Sequence, residues 1–385
     1  MHRRAVALLS AGHLFTDLNQ GAMPAMLPFF VAEYHLTYQQ AAGLVFAATV
    51  ASSIVQPLFG NFADRTPAKW LMPVGVLVAG LGMALTGAAG NYWLMAGVLM
   101  LSGLGVAAFH PEAARSMNAA AGERKATGMS VFSMGGSGGF AMGPLLATAL
   151  MLNFGVRGSL LLAVPALVMA LVLFNQLRQL PALRLAAQPH LTDIDAAGPR
   201  DAWAPFWRLI AVVIFRSIVF FGFNTFLSLY WIKNLGQSPA SGGTVLALWL
   251  LSALAGALIG GRLSDRYGAR QVGLWTSLAM VPLLAGFVLI RQPVLAVLVL
   301  VAIGTLLAAP SSGLMVLGQE LLPNHIGVAS GVTIGLSVSI GGATAPLLGW
   351  LADHYGIPAA LVSLTVMPVL MMLLLWTLPR WGHLR

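Results

Sequence analysis

Charge is what this sequence has least of. Asp, Glu, Lys and Arg make up 8% of its 385 residues, against 58% hydrophobic residues and a mean hydropathy of +0.85. A soluble domain carries about 25% charged residues, so a water-facing surface cannot be assembled from this composition. Cysteine is absent altogether, which excludes disulfides and thiolate metal sites. Lysine is scarce, and Lys69, Lys125 and Lys233 follow Ala68, Arg124 and Ile232, so no Gly-Lys-Ser/Thr string exists. A Walker A nucleotide loop is therefore missing. An H-E-x-x-H zinc motif is missing too, as are the paired intramembrane carboxylates that acid–base chemistry would need. No segment alternates polar and apolar residues as a membrane barrel strand must.

What is present is a series of apolar runs. A membrane-spanning helix needs about 20 mostly apolar residues, and twelve candidates occur, at 5–31, 40–59, 71–89, 92–112, 127–152, 157–179, 208–231, 241–260, 272–290, 293–318, 327–350 and 358–378. We expect an all-α polytopic membrane protein, because a helix satisfies its own backbone in lipid. The N-terminal run opens like a signal peptide, but it holds His13 and Asp17 and lacks a small-residue cleavage site. It is expected to be a retained first span. The long polar stretch 181–206 carries four prolines and mixed charge, so it reads as a cytoplasmic linker between six-span halves at 1–180 and 207–385.

The net charge of +9 forms no patch or stripe, and no nucleic-acid partner is expected. With the N-terminus in the cytoplasm, sixteen of the twenty basic residues fall on the cytoplasmic side. Three fall outside (Arg157, Lys233, Arg291) and Arg216 lies within span seven. This bias places both termini inside.

Two charged strings repeat. "GNFADRTPAK" (Gly60–Lys69) and "GRLSDRYGAR" (Gly261–Arg270) stand 201 positions apart, and "GGFAMGPLLA" (Gly138–Ala147) returns as "GGATAPLLGW" (Gly341–Trp350). Parallel copies of a six-helix unit are a known transporter plan, with substrate held near the midplane. The first pair of strings resembles the signature loop of the major facilitator superfamily. "FHPEAARSM" (Phe109–Met117), "GPLLA" (Gly143–Ala147) and "QELLPNHIGVASG" (Gln319–Gly331) resemble the fosmidomycin-resistance group of drug exporters. The resemblance implies twelve helices in two six-helix halves, and alternating access. It also implies a gating role for the signature residues Gly60, Asp64, Arg65 and Lys69, and for Gly261, Asp265, Arg266, Gly268 and Arg270. A tight turn carrying cytoplasmic positive charge would account for the same residues. The pattern departs from that of drug–proton antiporters in two places. Leu99 stands where span four often carries arginine, and Ser130 stands where span five is expected to have glycine.

Ionisable groups inside a span are costly and mark function. Asp17 is the deepest acid, and His13, four residues earlier, shares its helix face. Asp17 is expected to carry the coupling proton, with His13 and His110 as further proton sites; a permanently paired structural acid is the alternative. Arg216 occupies nearly the position in the second half that Asp17 occupies in the first. The two are expected to form a charge-linked site in which Arg216 holds an anionic substrate, while a static ion pair would also fit. Asn19 and Asn224 read as lining the same substrate path, with a plain interhelical hydrogen bond as the other reading of Asn224. Glu112 and Arg115, three apart at the end of span four, read as a proton site or as a cytoplasmic gate, and Glu320 as part of a gate.

Together these features predict a secondary transporter, not an enzyme, driven by a proton gradient and without cofactor or metal. The expected activity is efflux of a small, phosphonate-like drug or metabolite. The expected setting is a bacterial inner membrane, as a monomer with no obligatory protein partner. Uptake of an organic anion by proton symport is the alternative, and a membrane-embedded enzyme the remote one.

Overall fold

The structure is a computed structural model, and it describes residues 1–65, 68–179, 201–325, 328–329, 332–333 and 337–379. The side chains of 63–65, 126, 177–179 and 337–338 lie outside the described set. The described residues are helical almost throughout. The helices are α1 (Arg3–Tyr34), α2 (Tyr38–Arg65), α3 (Leu71–Leu85), α4 (Tyr92–Ala121), α5 (Lys125–Phe154) and α6 (Ala163–Gln179), then α7 (Trp203–Lys233), α8 (Pro239–Tyr267), α9 (Ala269–Phe287), α10 (Pro293–Ala308), α11 (Ser311–Leu321), α12 (Ser337–Tyr355), α13 (Ile357–Ser363) and α14 (Val366–Thr377). They form two compact units, α1 to α6 and α7 to α14, with Thr37–Ala42 counted in the second. Most of the expected linker, 181–206, lies outside the described residues.

Among the described residues, nine helical stretches are long and apolar enough to cross a membrane. The 32-residue α1 is not among them, because His13, Asp17, Asn19 and Gln20 lower its hydropathy. Local chemistry marks the ends. Asn91 accepts from Leu94 N (2.9 Å) to open α4, and Gln292 accepts from Leu295 N (2.8 Å) to open α10 just before Pro293.

The boundaries correct the sequence reading at several points. The span expected at 293–318 is present as one membrane-length stretch, Pro293–Leu321, interrupted locally at Pro310 between α10 and α11, since proline has no N–H to continue the ladder. The span expected at 358–378 is likewise present, as Ile357–Thr377, interrupted locally between Ser363 and Val366, where the ring of Pro368 would clash with the carbonyl of Leu364, four residues earlier. Helices α2 and α8 run on to Arg65 and Tyr267, so Asp64, Arg65, Asp265 and Arg266 stand on last helical turns and not in a loop. Apolar runs mark the stretch in lipid, whereas a helix continues into water for as long as its polar residues tolerate it.

Close helix crossings are built from glycine. A Cβ at Gly21 would stand 1.9 Å from Phe140 O, one at Gly139 2.0 Å from Leu14 O, and one at Gly143 2.4 Å from Leu18 O. Helices α1 and α5 thus pack backbone to backbone, as small-residue seams in lipid do. The second unit repeats this with α7 against α12, where Gly341 meets Ser217 and Phe221. Likewise α3 packs on α6 and α9 on α14.

Candidate functional site

In the first unit the α1–α5 seam presents a buried polar cluster. His13 and Asp17 lie one turn apart on α1, with His13 Nε2 3.2 Å from Asp17 Oδ2. His110 of α4 joins them, its Nε2 3.2 Å from Asp17 Oδ1 and 3.2 Å from His13 Nε2. Beneath them lies α5, where Phe132 stacks on the His13 ring at 4.0 Å. His13 is 9% exposed and the Asp17 side chain 15%.

Two backbone carbonyls set the chemistry of this cluster. His13 Nδ1 lies 2.8 Å from Phe132 O, and His110 Nδ1 lies 2.9 Å from Val106 O. A carbonyl only accepts, so each Nδ1 carries a hydrogen, and the neutral form of each ring turns a bare Nε2 lone pair inward. Two nitrogen acceptors and a carboxylate therefore converge. Asp17 Oδ1 is buried and, despite its proximity to His110, receives no well-directed hydrogen bond. Acceptors this close repel one another unless a cation sits among them.

The position of His110 was not legible in the sequence. It appeared to end span four near the cytoplasm, yet α4 runs on to Ala121 and leaves it inside the helix, opposite Asp17. Glu112 is separate from the cluster. It is fully buried and accepts from Arg115 Nη2 at 2.8 Å and from Ser116 Oγ at 3.4 Å. Asn19 is buried and donates to Phe15 O at 3.0 Å, with its Oδ1 unpartnered.

In the second unit, Arg216 stands in the middle of α7. Among the described residues of its own unit it makes no ion pair, and its Nε is buried without a hydrogen-bond partner there. Asn224, two turns along α7, is 2% exposed, and its Oδ1 is likewise unpartnered.

The signature residues fall at helix ends. The side chains of Asp64 and Arg65 lie outside the described set. Gly60 is half-buried within α2 and Lys69 half-buried just before α3, its charge acting on Glu112. Asp265 and Arg266 are exposed, with the Arg266 guanidinium over the Tyr267 ring at 5.1 Å, and Gly261 has open space beside it. Gly268 has φ +85°, a conformation that favours glycine. Arg270 donates from Nε to Leu375 O and from Nη2 to Trp376 O, each at 2.9 Å, and so caps the C-terminus of α14. Glu320 is exposed on the last turn of α11. Just beyond it, His325 Nδ1 donates to Asp201 Oδ2 at 2.6 Å and Asn324 N to Asp201 Oδ1 at 3.1 Å. The sequence reading missed this anchor of α7, because residues 201 and 325 have no pattern in common.

The chain is thus a multi-pass helical membrane protein with a polar cluster set in a glycine seam. The major facilitator superfamily model matches residues 9–346, and the chain belongs to that superfamily. It is 30% identical to the fosmidomycin resistance protein of Escherichia coli K12 over 95% of this chain and 90% of that one. It is 25% identical to the multidrug resistance protein MdtG of Escherichia coli 55989, over 86% and 84%. In fold it is similar to a bacterial homologue of the lysosomal transporter Spinster, solved in an inward-facing state, with a TM-score of 0.81 at 15% identity over 98% and 97% of the two chains. It is also similar to a D-xylose–proton symporter, with a TM-score of 0.74 at 15% identity over 98% of each.

Proposed function

We propose that this transporter exports small anionic compounds, phosphonates among them, by alternating access, driven by a proton gradient. It acts as a monomer in the bacterial inner membrane with both termini in the cytoplasm. The observation that carries the reading is Arg216, a guanidinium set within a membrane-spanning helix with no carboxylate paired to it among the described residues of its own unit. A charge held in lipid at such cost is kept for a partner, and guanidinium matches phosphonate or carboxylate in a two-pronged geometry. Asn224, on the same face of α7, has an unpartnered Oδ1, an acceptor open to a hydroxyl of the substrate. The converging acceptors of His13, Asp17 and His110 hold the coupling cation in the first unit. Export is the direction that the resistance proteins of similar sequence suggest.

Reconstituted vesicles with an imposed pH gradient test this reading. Fosmidomycin should move against the proton flux, and a cationic dye should not. Arg216→Gln should lower anion transport roughly tenfold or more, since a hydrogen bond to a charged group contributes about 1.5–3 kcal/mol. Undiminished transport by a correctly inserted Arg216→Gln protein would remove the basis for the anionic substrate. Movement of anion and protons in the same direction would replace export by uptake.

A further inference from the structure

The acceptor cluster has the form of a metal site. We propose that His13, Asp17 and His110 bind a first-row divalent transition metal ion of the Zn²⁺ class, through both imidazole Nε2 atoms and one carboxylate oxygen. One ligand atom from each residue can be chosen so that all three lie within 4.8 Å of one another. The closest approaches, His13 Nε2 to Asp17 Oδ2, His110 Nε2 to Asp17 Oδ1 and Nε2 to Nε2, are each 3.2 Å. Tetrahedral Zn²⁺ with bonds of about 2.0–2.1 Å has ligand–ligand edges of about 3.3 Å. For either carboxylate oxygen, the Nε2–Nε2 edge and one Nε2–O edge match this spacing, and a ligand set with all three atoms within 4.8 Å exists.

Orientation supports the assignment independently of distance. A metal-binding histidine ordinarily gives its other ring N–H to a carbonyl or carboxylate, which fixes the tautomer and aims the lone pair. Both rings meet this condition, His13 through Phe132 O and His110 through Val106 O. The two rings come from different helices and rest on carbonyls of α5 and α4, so the arrangement is not a product of one helical turn. Asp17 Oδ1, buried without a directed donor, is an acceptor still to be satisfied.

Space has been kept for this arrangement. A Cβ at Gly136 of α5 would lie 2.4 Å from His13 Nε2 and 2.8 Å from Asp17 Oδ2. Glycine at 136 therefore lets the ligating ring and carboxylate lie flat against α5. The donor set selects the metal class. Two imidazoles and one carboxylate suit Zn²⁺, Co²⁺ or Ni²⁺, whereas Mg²⁺ and Ca²⁺ require mostly oxygen. Three protein ligands leave a fourth position for water or an anion.

The test is a Co²⁺ titration of the full-length, tag-free protein in detergent, followed by visible absorption and chased with Zn²⁺. One equivalent of Co²⁺ should give the intense bands of tetrahedral coordination, Zn²⁺ should bleach them, and Mg²⁺ and Ca²⁺ should not. His13→Gln, His110→Gln and Asp17→Asn should each abolish the bands. Gly136→Ala retains every ligand but crowds them, and should weaken binding roughly tenfold. X-ray absorption on the wild-type protein needs no variant and should show two imidazoles in the Co²⁺ shell. Absence of binding, an all-oxygen octahedral shell, or bands that persist in the three ligand variants would each overturn the assignment. These readouts involve no transport, so they stand or fall apart from the export reading.

Discussion

At the residue scale the protein is governed by a few polar groups that lipid would reject singly. Asp17 lies within 3.2 Å of two imidazoles, and a cation held among the three groups would offset its charge. Asp17→Asn removes the negative pole of that cluster. In the vesicle assay it should abolish gradient-driven flux and leave substrate exchange across the membrane intact; gradient-driven flux equal to wild type would show that the cluster does not couple. Glu112 and Arg115 show the opposite economy, a closed pair that spares a buried carboxylate. Breaking a buried pair by removing one partner strands the other charge. Arg115→Ala should lower stability by about 3 kcal/mol. The Glu112→Gln, Arg115→Ala double variant should be more stable than the sum of the single losses. Thermal unfolding of the purified variants in detergent measures this, and strict additivity would show the pair to be inert.

At the scale of elements, glycine placement decides which helices touch. Gly138 and Gly139 are neighbours on α5, yet a Cβ at Gly139 would stand 2.0 Å from Leu14 O while one at Gly138 meets nothing within 4 Å. Gly139→Ala should therefore force α1 and α5 apart and lower the thermal midpoint by several degrees, and Gly138→Ala should change it by little. Equal effects of the two would mean that the seam is not close-packed. The corner between α8 and α9 depends on Gly268, at φ +85° and ψ 142°, a region nearly closed to other residues. Gly268→Ala should cost about 1–3 kcal/mol, read as a lowered thermal midpoint without loss of helical circular dichroism. The sequence places Gly139 and Gly143 four residues apart, a spacing that suits close helix packing. It could not show which helix they meet, since any helix offers a backbone to a glycine face.

At the scale of the whole molecule, the distribution of basic residues is the basis for the proposed orientation. The chain has no cysteine, so single cysteines can be introduced without background. A membrane-impermeant thiol reagent applied to intact cells should label Arg157→Cys and spare Glu123→Cys, both of which are exposed positions. The reverse pattern would invert the topology and with it the direction of every proposed flux.

Apolar runs, scarce charge and two strings repeated 201 positions apart were enough to point to the helical membrane class and the superfamily. These are properties of composition and period, and lipid enforces them on each segment separately. Asp17, His13 and Arg216 also stood out alone, because an ionisable group in an apolar run needs no neighbour to be conspicuous. What only the tertiary structure decided was partnership. His110 meets Asp17, 93 positions away, and Asp201 meets His325, 124 positions away, with no sequence period linking either pair. The inward aim of the two Nε2 atoms was likewise settled by the carbonyls of Phe132 and Val106. A hydrogen bond to a backbone depends on where a helix passes, and that follows from packing, not from the identity of the residue that bears the carbonyl.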